Sequence, residues 1–130
     1  MTVTARGETV PVGTSAADAA DDPAIWRNAA NPAASLIVAT DKKAGLHVYD
    51  LTGKDVAFIE AGLVNNVDMA GDIIVASDRN DGVNAHLAIF RLDGAAPAIT
   101  AYEGPRRRVL VVDNEESDRE LIARWLQPLG

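Results

Sequence analysis

SLIVATDKKAGLHVYDLTG, residues 35–53, and DIIVASDRNDGVNAHLAIFRLDG, residues 72–94, are two copies of one pattern, and their reading decides the fold. Each opens on a short, β-branched apolar run, the length of a buried strand rather than a helix. Each then places an Asp, a basic residue and a Gly in the connecting turn. A second apolar segment follows, closed by Thr-Gly or Asp-Gly. Leu36 and Ile73 stand 37 positions apart. In the first copy Leu46, Val48 and Asp50 share one face and His47, Tyr49 and Leu51 the other, the two-residue period of a strand.

Outward from these copies, short strands are expected at residues 24–27 and 56–60 around the first, and at 66–69 and 98–103 around the second. Residues 1–12 alternate Val with polar residues and read as one further, weak strand. Gly, Asn and Asp turns join the segments, so each copy becomes a four-stranded antiparallel unit. A repeat of about 40 residues with four strands is the mark of β-propeller blades, and two blades fall short of the about four to eight that close a ring. The expected fold class is mainly β: two four-stranded antiparallel propeller-type blades plus a C-terminal strand and amphipathic helix.

That C-terminal part begins where the style changes, at Gly104-Pro105. Arg106-Arg107-Arg108 precedes Val109-Leu110-Val111-Val112, a continuous apolar strand of the parallel-sheet kind. Acidic residues then open a helix on which Leu121, Ile122, Trp125, Leu126 and Leu129 share a face. The expected division is therefore 1–103 and 104–130.

Composition excludes several function classes. Apolar residues make up 48% and aromatics 5%, so the core is built from Val, Ile, Leu and Ala. No cysteine is present, which removes disulfides and thiolate metal sites. A net charge of −7 opposes nucleic-acid backbones and suits cations. No apolar run reaches the ~18 residues of a membrane span. Residues 1–12 lack the charged and apolar regions of a signal peptide. Neither a nucleic acid nor a membrane is expected as partner.

The chemistry centres on Asp21-Asp22-Pro23-Ala24-Ile25-Trp26. Pro23 pushes Asp22 toward extended backbone, which sets the acidic pair at a strand mouth. Adjacent carboxylates repel unless a cation or a shared proton relieves them, and hard oxygens suit Ca²⁺ or Mg²⁺. The plainer reading is a solvated acidic turn. Asp78-Arg79-Asn80-Asp81-Gly82 is one residue short of a calcium loop and reads as an Asx turn. His47 and His86, on equivalent strands, read as surface residues before transition-metal ligands. Residues 106–108 read as a solvated lead-in, and Trp26 and Trp125 as core or interface anchors.

Four stretches carry a family resemblance: Asp21-Asp22-Pro23-Ala24-Ile25-Trp26, Thr40-Asp41-Lys42-Lys43-Ala44-Gly45-Leu46, Leu63-Val64-Asn65-Asn66-Val67-Asp68 and Ala76-Ser77-Asp78-Arg79-Asn80. In this order and spacing they closely resemble the N-terminal blades of the β-propeller phytases. The resemblance implies a six-bladed, calcium-dependent enzyme that removes phosphate from phytate. It implies that Asp21, Asp22 and Asp68 are calcium-liganding carboxylates, and that Lys42, Lys43, Asn65 and Arg79 contact phosphate. Calcium would neutralise phosphate and generate hydroxide, while the cations stabilise developing charge.

Residues 106–130 resemble the opening strand and helix of a response-regulator receiver domain. Asp113 and Glu115 stand for its acidic pair, with Asn114 where a second Asp is usual. Its phosphoacceptor Asp, switch hydroxyl and distal Lys have no counterpart, so the segment is expected to cover an open sheet edge rather than to take phosphate. Together the two resemblances read as a chimera or truncated recombinant. Unpaired edges and an apolar face lead to an expected homo-oligomer, dimer or trimer, three copies restoring six blades. The expected activity is divalent-metal-dependent hydrolysis of small phosphate esters. The alternative is a non-catalytic fragment that folds by self-association.

Overall fold

A computed structural model describes residues 2–5, 7–13, 18–84 and 86–103. The first sheet runs β1 (Ala20–Trp26), β2 (Leu36–Asp41), β3 (Gly45–Asp50) and β4 (Asp55–Glu60). The second runs β5 (Val64–Ala70), β6 (Ile73–Asp78), β7 (His86–Asp93) and β8 (Ala98–Ala101). In both, neighbours in sequence are neighbours in the sheet, and every pairing is antiparallel. These are the expected four-stranded units. Among the described residues no helix is long and apolar enough to cross a membrane.

Alternation sorts the side chains. Leu36 and Val38 of β2 with Leu46 and Val48 of β3 turn one face of the first sheet onto Val64, Val67, Ile74, Ala76, Phe90, Leu92 and Ile99 of the second. Val38, Leu46, Val48, Val64 and Ile74 are fully buried there. Each such side chain contributes about 1.5–3 kcal/mol relative to exposure. β1 and β2 lie against β5, and β4 lies against β8. Trp26 anchors the far end of this interface, as its sequence suggested. Its ring rests on Gly94, where any Cβ would collide with it.

One side chain, Asn80, bonds the connection from β4 to β5 at two points, beside the Ala61 and Gly62 N–H bonds to the Ala44 carbonyl. Asn80 Oδ1 accepts the Leu63 N–H at 2.9 Å, and its Nδ2 donates to the Ala61 carbonyl at 2.9 Å. Gly62 between them has φ +65° and leaves no room for a Cβ beside Asn80. Only glycine meets both demands cheaply.

Two expectations need correction. Among the described residues of 1–12 none is in a strand, and Val3 and Val10 are 79% and 58% exposed. Gly7 and Glu8 lie instead against Thr52 and Gly53 of the β3–β4 turn. Alternation specifies a strand only where a sheet edge accepts its ladder, and no described edge does. The second correction concerns the acidic pair, which lies inside β1 rather than before it. β1 is an edge strand, where proline is tolerated. The C-terminal strand and helix, the Arg106–Arg108 run and Trp125 lie outside the described residues.

Candidate metal and phosphate site

The acidic pair sits on a β-bulge. Ala20 pairs with Asp41 and Pro23 with Ala39, so three steps along β1 match two along β2. An extra residue interrupts the ladder and re-aims the side chains beside it. β5 has the same irregularity: Val64 pairs with Asp78 and Val67 with Ala76. Asp21-Asp22 in one blade therefore occupies the place of Asn65-Asn66 in the other.

Asp22 is fixed at both ends. Its N–H donates to Thr40 Oγ1 at 3.0 Å, and its Oδ2 accepts the Val67 N–H of the second sheet at 3.0 Å. Asp22 lines a cleft of about 400 Å³ with Asn66, Val67, Asp68, Ser77 and Leu87. One Asp68 oxygen, Oδ1, accepts the N–H of Met69 at 2.7 Å. Asp22 and Asp68 thus meet on one cleft. Asp21 turns away, with its Oδ1 3.4 Å from Lys42 Nζ.

The basic residues repeat as the bulges do. Lys42 N–H donates to the Ala19 carbonyl at 2.8 Å, and Arg79 N–H to the Leu63 carbonyl at 2.9 Å. Each follows the strand that flanks a bulge, so acids and bases gather at one end of the two sheets. Lys42 is largely covered, its side chain 12% exposed, and its ammonium lies 2.8 Å from Asp18 Oδ1. The hydrogen bond from Lys42 holds the Asp18 carboxyl below the usual carboxylate range, and the same bond raises Lys42 above the usual lysine value. Arg79 Nη2 bridges the sheets, 3.2 Å from the Val64 carbonyl and 3.5 Å from that of Lys42. Lys43 is exposed and its N–H bonds Asp41 Oδ1 at 2.9 Å. Asn65 Nδ2 donates to Asn66 Oδ1 at 2.8 Å.

Among the described residues no three His, Asp or Glu side chains come together as a metal cluster. The three Asp residues named from sequence form a pair and an outlier. Asp78 closes the anticipated Asx turn, accepting the Asn80 N–H at 2.8 Å. Both histidines are paired with acids, His47 Nδ1 with Asp55 Oδ2 at 2.6 Å and His86 Nε2 with Asp81 Oδ2 at 2.9 Å. Sequence reasoning passed over Asp18, Thr40, Asn66 and Ser77. Aligning ATD with ASD in the two repeats could have found Thr40 and Ser77, whereas Asp18 sits in a loop without a pattern.

Comparison with known proteins gives two findings. The phytase family model matches residues 1–117, a span that continues past Gly104-Pro105. A 3-phytase of Bacillus subtilis (strain 168) is 40% identical over 116 residues, covering 82% of this chain and 30% of that protein. The chain thus spans under a third of the relative's length.

Proposed function

The chain belongs to the phytase family, and from that premise we propose that it serves divalent-metal-dependent hydrolysis of phosphate esters, with calcium as the ion. The observation that carries the reading is that Asp22 and Asp68 line one cleft, while the neighbouring Asp21 lies beside Lys42 and Arg79 reaches the Lys42 carbonyl. Carboxylates without sulfur or imidazole are the donors a hard cation prefers. Asp22 and Asp68 would hold the ion, and they fit it as part of a site, since calcium takes about six to eight oxygens. Bound there, calcium would supply Lewis acidity toward a phosphoryl oxygen and lower the pKa of water.

The chain's own residues have separable tasks. Lys42, tied to Asp18 and Asp21, offers an ammonium beside the acidic pair, and Lys43 offers a second, exposed one. Arg79 holds the two sheets in register through backbone carbonyls while keeping a guanidinium at the same end. Asn65 presents an amide at the bulge of the second blade. Phosphate binding would draw on these cations and the substrate would be a small, accessible phosphomonoester.

The test is release of 4-nitrophenol from its phosphate ester by the full chain. Calcium-dependent release is expected, abolished by a chelator and lowered about tenfold, or about 1.4 kcal/mol in barrier, by Asp68→Asn. No calcium-dependent release, or release indifferent to both chelator and substitution, overturns the reading.

A further inference from the structure

Thr40 is a buried hydroxyl, 2% exposed, in β2 between the apolar run Leu36 to Ala39 and Asp41. Its Oγ1 accepts the Asp22 N–H at 3.0 Å and lies 3.4 Å from the Asp22 carbonyl, to which it can donate. A bulge interrupts the ladder at its extra residue, so a backbone group there needs a partner from outside the ladder. The hydroxyl supplies it. Ser77, 37 positions later, does the same for the second bulge, accepting the Asn66 N–H at 3.1 Å. Neither position needs a hydroxyl for packing alone, since a valine would fill the space of Thr40.

We propose that Thr40 is the positioning residue for Asp22, and Ser77 for Asn66. The hydroxyl fixes the backbone of the bulge and thereby the direction of the side chain it carries. For Asp22 the result is a carboxylate held between the Val67 N–H and the cleft shared with Asp68. Without that bond the bulge can migrate, and a one-residue slip turns a strand side chain to the opposite face. The consequence for cation binding rests on the reading of the cleft as a calcium site. The positioning itself requires no ion.

The experiment follows amide hydrogen exchange by NMR in the full, metal-free chain, and then titrates the same samples with calcium chloride by calorimetry. In Thr40→Val the amides of Asp22 and Val67 should exchange at least about tenfold faster than in the wild type, and calcium affinity should fall about 10- to 100-fold, the scale for residues that orient metal ligands. Thr40→Ser should keep both within about twofold. Unchanged protection at Val67 in Thr40→Val overturns the proposal, as does a uniform loss across both sheets, which would mark a merely structural role. If Thr40→Val does not fold, Ser77→Ala decides: protection lost at Asn66 alone supports the lock, and unchanged protection there refutes it. A wild type that ignores calcium while Asp22 and Val67 remain coupled to Thr40 removes the calcium site and leaves the lock standing. Calcium binding without that coupling does the reverse.

Discussion

Substituting Asp22 separates its two duties. Its Oδ2 takes the Val67 N–H at 3.0 Å, and Val67 is 5% exposed. Asp22→Ala leaves a buried donor unsatisfied, a cost of about 1–3 kcal/mol. Asp22→Asn keeps an oxygen in the same place and should lose no more than the difference between a charged and a neutral hydrogen bond, about 1 kcal/mol. Calcium sets the wild type apart from both variants. At a hundred times its dissociation constant the ion should stabilise the wild type by about 2.7 kcal/mol and both variants far less, because each has lost the negative charge. Urea unfolding with and without calcium measures all of this. If Asn is as unstable as Ala without calcium, the bond to Val67 is not what Asp22 contributes to the fold. If Ala retains the calcium increment, Asp22 is not a ligand.

Asn80→Ala removes three side-chain bonds, to Leu63, Ala61 and Asp78, and should lower stability by about 1–3 kcal/mol in thermal unfolding. Asn80→Asp should do no better than Ala, because a carboxylate would then face the Ala61 carbonyl and the Asp78 carboxylate; recovery in the Asp variant would contradict this clamp. The acid limb of stability should depend on Asp50, whose carboxyl lies below its usual range chiefly because the Thr52 hydroxyl donates to it, with the Thr52 and Lys54 N–H groups adding to the effect. A depressed folded-state value stabilises the protein above the unfolded value of 3.8 and is lost as pH falls through the lower folded one. Urea midpoints from pH 6 to pH 2 should fall less steeply below pH 4 in Asp50→Asn than in the wild type, and equal slopes would exclude the effect.

The fold was legible because strand length, alternation and turn residues all agreed over residues 35–94. Ser35 to Thr40 could only be a buried strand, and Thr52-Gly53 could only be a hairpin turn between Asp50 and Asp55. Residues 1–12 show the limit of that method: Val3 and Val10 alternate as a strand would, but strand formation depends on a partner edge that local sequence does not encode. The site was legible in its residue types and not in its geometry. Asp21 and Asp22 were identifiable as an adjacent acidic pair, and Asp68 through the family resemblance. That a bulge would turn Asp22 toward Asp68 and Asp21 toward Lys42 depends on one inserted residue, and neither propensity nor spacing reveals which side of a bulge a carboxylate will take.

The two blades also supply an internal control on what those acids are for. They share the bulge, the hydroxyl lock, the Asx turn at Asp41 or Asp78 and the basic residue after it. They differ at the bulge itself, Asp21-Asp22 in one and Asn65-Asn66 in the other. Asparagine is therefore sufficient to build this piece of backbone, and the negative charges of the first blade are not required by the fold. Adjacent carboxylates repel each other, so their presence where neutral amides would serve is a cost that needs an offsetting cation. Lys42 offsets Asp21 at 3.4 Å. The Asp22 carboxylate, which shares a cleft with Asp68, is where the proposed calcium ion would offset the remaining charge.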